Sequence, residues 1–241
     1  MRAALNTDPA VPREAVSSLS VGGLEKLSIV DWPGQLSAVV FCQGCAWRCS
    51  YCHNPHLIPF ARSVHGPTWD QVLAWLGRRR GLLDGVVFSG GEPIWQPALP
   101  EAVRKTRELG FRIGLHTGGP SPERLTPLLP FLDWVGFDFK ATFSAYAQIT
   151  GRDDGAAARL SLELLLAARI PCEIRTTWHP LLLPDADLER MADTLIELGC
   201  TNWVIQRFRP DGCADSTLAA SPVGEPPLAK LRRDGLLVAV R

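Results

Sequence analysis

Four of the chain's 7 cysteines fall in one stretch, Phe41 to Pro55, which reads FCQGCAWRCSYCHNP. Cys45, Cys49 and Cys52 stand in the spacing C-x3-C-x2-C. Thiolates are soft ligands suited to iron–sulfur clusters, and a full set is usually four cysteines. Three alone would bind three irons of a [4Fe–4S] cluster and leave the fourth open for chemistry. Cys42 lies three residues before Cys45, so the same stretch also reads C-x2-C-x3-C-x2-C. Four close cysteines could instead close around one zinc ion or one cluster, as a structural knot or an electron carrier. Spacing leaves both readings open.

The elements around this loop decide what could reach it. Leu24 to Val30 and Leu36 to Cys42 read as short apolar strands bracketed by Gly22-Gly23 and Trp32-Pro33-Gly34 turns. The second strand delivers the cysteines at its C-terminal end. Thr68 and Gln71 form a capping-box pattern, and Trp69, Val72, Leu73 and Leu76 follow at helical spacing. Strands are then expected at Gly85–Ser89, Phe111–Leu115, Trp134–Phe139, Cys172–Thr177 and Trp203–Phe208. Between them come a helix ending at Leu109, a short helix near Pro122, and helices over Ala156–Ala168 and Asp187–Leu198. A short helix at Pro227–Arg233 and a strand at Leu236–Val240 close the chain. About six strand–helix units in roughly 170 residues imply an α/β fold with a parallel sheet, a partial (β/α)6 TIM-like barrel rather than a full one of eight.

In such folds reactive groups gather at the C-terminal strand ends. The cysteines, Gly90-Gly91-Glu92, His116-Thr117, Asp138-Phe139-Lys140, Arg175 and Gln206 to Arg209 all fall there. Two glycines allow close backbone approach to a ligand, Pro93 fixes the turn, and Glu92 can accept from an ammonium group. The same four residues could be an ordinary strand-to-helix turn. Asp138 and Lys140 share one side of a strand end. An inward lysine needs an anionic partner, either a ligand carboxylate or a structural pair with Asp138 or Glu92. His53 and Asn54 either line a channel or cap local backbone, and His116 is either a ligand-binding group or a satisfied core histidine. Trp69, Trp75, Trp134 and Cys172 read as core. Trp47 would shield a cluster or face a partner, and Arg78-Arg79-Arg80 as a solvated helix end.

Composition narrows the class. The 241 residues are 46% hydrophobic, with 25 basic and 25 acidic residues. Nothing in that balance calls for nucleic acid or a membrane surface. Clustered cysteines suit a metal site in a reducing compartment. The N-terminal stretch lacks the apolar core of a signal peptide, and no apolar run approaches the ~18 residues that span a bilayer. A soluble cytoplasmic protein is expected. Residues 1–19 read as a mobile tail, and 20–241 as one domain with its core at 36–210 and an extension at 211–241.

Taken together the motifs resemble the radical S-adenosylmethionine (SAM) superfamily, and within it the glycyl-radical-enzyme activases. The resemblance rests on C-x3-C-x2-C with Tyr51 inside the second gap, and on VVFSGGEP from Val86 to Pro93. GLEKLSIVDWPG from Gly23 to Gly34, Gln43-Gly44-Cys45 and YCHNP from Tyr51 to Pro55 are similar to anaerobic ribonucleoside-triphosphate reductase activating proteins. So are Asp138-Phe139-Lys140, Arg175-Thr176-Thr177 and QRFRP from Gln206 to Pro210. The resemblance implies that Cys45, Cys49 and Cys52 hold the cluster and that its open iron chelates SAM. Reductive cleavage of SAM would yield a 5′-deoxyadenosyl radical that takes hydrogen from a glycine of the partner, anaerobic ribonucleotide reductase. Glu92 with the Gly90-Gly91 backbone would hold the methionine amine, and Lys140, beside Asp138, its carboxylate. Backbone near Tyr51 would meet the adenine, and Arg209 would make a further SAM contact. A flavodoxin- or ferredoxin-type protein would supply the electron.

Three features depart from that pattern. Cys42 stands where the family usually carries an apolar residue, and is expected to be a strand-end thiol pointing away from the cluster. His116-Thr117-Gly118-Gly119 replaces a common Asp-Thr-Asn-Gly, so a monovalent cation held by that carboxylate in some relatives is not expected. The C-terminal section is short and proline-rich, which bears on partner choice.

Overall fold

The structure is a computed structural model and describes residues 18–61, 66–213 and 215–241. The tail expected over residues 1–19 therefore lies outside the described residues except for its last two. Of these, Leu19 is buried in the core.

The chain builds one sheet in sequence order. β1 (Val21–Ser28) is antiparallel to β2 (Ser37–Cys42). Then β3 (Gly85–Gly90), β4 (Arg112–Thr117), β5 (Trp134–Asp138), β6 (Cys172–Trp178), β7 (Asn202–Arg207) and β8 (Leu237–Val240) add in parallel. The strand order runs from β1 to β8, and the sheet is open. The six expected strand–helix units are β2 to β7; β1 and β8 are its two edges. This is the partial (β/α)6 barrel expected from the strand–helix alternation.

Helices cover the outer face. They are α1 (Trp69–Gly77), α2 (Leu99–Glu108), α3 (Pro122–Leu125), α4 (Tyr146–Thr150), α5 (Gly155–Ala167), α6 (Asp185–Glu197), α7 (Ser216–Ala220) and α8 (Leu228–Leu231). The α1 capping box is present: Thr68 Oγ1 accepts from Gln71 N–H at 3.2 Å, and Gln71 Oε1 from Thr68 N–H at 2.9 Å. Helix α6 turns Leu188, Met191, Ala192 and Leu195 inward. Burying each of the three larger ones, Leu188, Met191 and Leu195, contributes about 2 kcal/mol. Gly110 and Gly199 follow α2 and α6 with φ of 92° and 77°, the left-handed stop that glycine adopts without strain.

Two local readings differ from the sequence expectation. The segment after Glu92 does not enter a helix at once. A 3-10 turn spans Pro93–Trp95, and α2 starts only at Leu99. Pro97 and Pro100 lack N–H groups, so a helix can begin no earlier than a point that places Pro100 in its first turn. The short helices α4 and α7 were not expected. The latter begins where Asp215 accepts from Thr217 N–H at 2.9 Å and Leu218 N–H at 3.1 Å.

The concave face holds a second, smaller apolar cluster of Trp32, Val39, Val87 and Trp134. Trp32 comes from the β1–β2 connection and stacks on Trp134 with ring centroids 5.7 Å apart. Room for it exists because Gly85 and Gly114 carry no side chain; a Cβ there would stand 2.7 Å and 3.0 Å from the indole. What reads in sequence as a turn is a plug in the barrel interior. Above it, toward the C-terminal strand ends, the barrel opens into a cavity.

Candidate active site

The cavity has a volume of about 310 Å³, in the range of small-ligand sites. Its wall includes Cys45, Cys49, Tyr51, Cys52, Gly90, Gly91, Glu92, Asp138 and Lys140. Nine of the ten residues singled out for the cluster and SAM thus meet at one mouth. Arg209 does not line it. Strand β7 ends at Arg207, and Arg209 is exposed beyond the wall, its carbonyl 3.0 Å from His53 Nε2.

The two sides of β2 separate the four clustered cysteines. Side chains alternate along a strand. Phe41 lines the cavity and packs on the concave cluster, so Cys42 faces the other way. It is fully buried in the main core beneath the helices. Burial, reinforced by the Glu92 charge, pushes the Cys42 thiol far up, and it stays protonated. The closed four-cysteine reading would need Cys42 on the cavity side, and it is not there.

Backbone bonds pin the cysteine loop. Cys45 N–H donates to Ile58 O at 3.0 Å, Arg48 N–H to Thr150 O at 2.8 Å, and Cys52 N–H to Cys49 O at 3.0 Å. Burial, with Glu92 next, pushes the Cys45 thiol up to about 12, and burial also raises Cys49. Among the described residues, no group of three or more His, Cys, Asp or Glu side chains is drawn together as a ready metal site. The donor chemistry still fits an iron–sulfur cluster. Three soft thiols share one cavity, and an arriving metal would have to displace their protons.

Gly90 and Gly91 are required by the protein's own backbone. Gly90 has φ of 114°, and a Cβ there would meet Cys42 N at 2.4 Å. A Cβ on Gly91 would meet Gly44 O at 2.4 Å and Leu57 O at 2.9 Å. The glycine pair lets the strand end nest against the cysteine loop, with Gly91 N–H on Cys42 O and Glu92 N–H on Gly44 O. Glu92 is buried, accepting from Thr117 Oγ1 at 2.7 Å, Gly118 N–H at 2.9 Å and Ile94 N–H at 3.3 Å. Burial pushes its carboxyl up to about 7, against the pull of those donors and of Lys140.

Lys140 reaches Asp138 Oδ2 at 3.3 Å and lies 5.6 Å and 5.7 Å from the Trp47 and Tyr51 ring centroids. Burial works against its charge, but Tyr51, Asp138 and Cys49 keep it well above the usual lysine range. Arg175 Nη2 donates to the other Asp138 oxygen at 2.9 Å and to Gly136 O at 3.3 Å. Burial opposes ionisation of Asp138, and the Lys140 and Arg175 cations override it, holding the carboxyl below its usual range.

His116 is the satisfied histidine of its two readings, and it also forms part of the cavity floor. Burial and the adjacent Arg175 push it down to about 3, so the ring is neutral. Nε2 stands 2.8 Å from Asp31 O, which can only accept, and Nδ1 is 3.1 Å from the Ser89 hydroxyl. Nε2 also lies 3.1 Å from Arg175 Nη1, which can only donate, so the two partners of this nitrogen make opposite demands and fix no single tautomer. Trp47 is buried, with Nε1 donating to Asp154 Oδ2 at 2.7 Å and its ring filling the space that Gly118 leaves. The sequence marked Asp31 only as part of a motif and carried no local sign of the Trp47–Asp154 bond, because both partners are remote in the chain.

An open, mostly parallel barrel thus brings three thiols, a buried carboxyl and a half-buried lysine to its C-terminal mouth. The Radical SAM superfamily profile matches residues 39–198. A Methanocaldococcus jannaschii protein named for glycyl-radical enzyme activation is 30% identical over 211 residues, covering 84% of this chain and 85% of its own. The pyruvate formate-lyase-activating enzyme of Clostridium pasteurianum is 35% identical over 138 residues, 55% of this chain and 57% of that one. The fold is that of Streptococcus suis SuiB, solved bound to S-adenosylmethionine, with TM-score 0.62 at 12% identity. That match covers 83% of this chain and about half, 48%, of SuiB. The chain belongs to the radical SAM superfamily and is an enzyme of that class. No helix among the described residues is long and apolar enough to cross a membrane.

Proposed function

We propose that this enzyme is a glycyl-radical-enzyme activase. The observation that carries the reading is the meeting of three thiols, buried Glu92 and the Lys140–Asp138 pair on one cavity. Cys45, Cys49 and Cys52 would hold a [4Fe–4S] cluster, with Cys42 excluded on the far face of β2. When bound, that cluster supplies the electron that splits a SAM C–S bond into methionine and a 5′-deoxyadenosyl radical, which takes hydrogen from a glycine of the partner.

Glu92 would receive the methionine amine, its carboxylate already oriented by Thr117 and Gly118. Lys140 would neutralise the methionine carboxylate. Asp138 orients Lys140, and Arg175 in turn fixes Asp138. Backbone near Tyr51 would meet the adenine. The buried Trp47 and Tyr51 rings narrow the chamber and limit water around the reacting bond.

The partner is a protein bearing the glycine to be oxidised, and a flavodoxin- or ferredoxin-type donor supplies the electron. The named relatives support glycyl radical enzymes as a class, pyruvate formate-lyase among them. The motif resemblance alone favours anaerobic ribonucleotide reductase within that class. The test is electron paramagnetic resonance on each purified partner after anaerobic incubation with the reduced protein and SAM. A glycyl radical on either supports activase function and names the partner. Formation of 5′-deoxyadenosine with no radical on any glycyl radical enzyme would shift the reading to a peptide or small-molecule substrate.

A further inference from the structure

Arg48 lies between the first and second cysteines of the C-x3-C-x2-C loop and is exposed. Its side chain folds back on its own loop. Nη1 donates to Cys45 O at 2.7 Å and to Trp47 O at 2.9 Å. Its backbone is fixed as well, with its N–H on Thr150 O at 2.8 Å, and a Cβ added at Gly151 would stand 3.7 Å from the Arg48 Cβ. Among the described residues no carboxylate pairs with the guanidinium. The nearby Asp154 is engaged by Arg152 Nε at 3.0 Å and Trp47 Nε1 at 2.7 Å. An unpaired positive charge is therefore held against the backbone of the cysteine loop, on its solvent side.

We propose that Arg48 is a positioning residue that raises the reduction potential of the cluster held by Cys45, Cys49 and Cys52; this rests on the cluster reading above. The step concerned is uptake of one electron from an external one-electron donor, with no bond made or broken. A cluster becomes more negative on reduction, so a fixed cation beside it favours the reduced state. The guanidinium also engages the Cys45 and Trp47 carbonyl oxygens, whose negative ends would otherwise oppose that gain. Cluster potentials respond to net charge, hydrogen bonding and solvent exposure, and Arg48 acts on the first two.

The test is anaerobic redox titration of the reconstituted protein, followed by electron paramagnetic resonance, for wild type, Arg48→Gln and Arg48→Lys. The glutamine variant is expected to be harder to reduce by about tenfold, which is ~59 mV for one electron. The lysine variant, with charge but no fork, is expected to stay near wild type. No shift in Arg48→Gln, or equal shifts in both variants, overturns the proposal. If the glutamine variant fails to hold iron, the lysine variant decides alone. A wild-type potential supports the charge, and a fall of the size expected for glutamine overturns it. Failure of wild type itself to assemble a cluster would instead overturn the underlying cluster reading.

Discussion

Cys42 and Gly90 are register partners across the parallel β2–β3 pair, and the two are bound to each other by more than the sheet. Gly90 cannot carry a Cβ because the Cys42 backbone occupies that space. The contact holds the Gly90-Gly91-Glu92 turn at the base of the cysteine loop. Alternation along β2, with Phe41 on the cavity side, puts the Cys42 thiol on the helix-covered side of the sheet, away from Cys45, Cys49 and Cys52.

Cys42→Ala is therefore expected to keep its iron and its SAM binding. The small void it leaves should cost about 1 kcal/mol of stability. Alanine at Cys45, Cys49 or Cys52 should abolish iron retention. Iron and sulfide assays on the four anaerobically reconstituted variants check this, and iron loss in Cys42→Ala would restore the four-cysteine site.

Gly91→Ala should fail where Gly77→Ala does not. The added methyl at Gly91 meets two carbonyl oxygens of the backbone, which cannot swing aside. A loss above about 2 kcal/mol, with weakened iron retention, is expected. Gly77 ends α1 with nothing within 4 Å of its would-be Cβ, so alanine there should be neutral or stabilising by up to about 1 kcal/mol. Denaturant unfolding of both variants gives the comparison.

The buried Glu92 carboxyl makes a pH signature in the metal-free protein. Its folded value, about 7, lies above the unfolded value of 4.5, so the folded state holds the proton longer. Its contribution is full below the unfolded value and is lost as pH rises through about 7, on the order of 3 kcal/mol in all. Between pH 5 and pH 8 wild type should lose stability relative to Glu92→Gln. Urea titrations across that range would show a constant difference if the carboxyl titrated normally.

Lys140→Met is expected to weaken SAM binding by roughly 10- to 100-fold, the scale of losing one desolvated charge partner. Asp138 keeps Arg175, so the fold should survive the change. Calorimetry on the reconstituted variant measures the affinity. Unchanged binding would remove Lys140 from the methionine carboxylate.

What the sequence could disclose follows the range of the interactions. The α1 capping box and the strands β2 to β7 rest on neighbours a few residues apart, and both were legible. The start of α2 was displaced by Pro97 and Pro100, a local signal that was present but outweighed by the expected strand-to-helix step. Trp32 read as a turn residue because its partners, Trp134, Gly85 and Gly114, lie far along the chain. His116 stayed ambiguous because its deciding partner is the carbonyl of Asp31, which no side-chain pattern records. Arg209 was named from the family resemblance, and it stands two residues past the end of β7, outside the cavity wall. Cys42 was expected to point away from the cluster, and its alternation with Phe41 along β2 supplies the physical reason.

The most direct test of the central claim is 5′-deoxyadenosine formation. The anaerobically reconstituted protein would be reduced with dithionite and given SAM, with Cys45→Ala as the control. Product from wild type and none from the control is the expected result. No product from a protein carrying a full, reducible cluster would contradict the account.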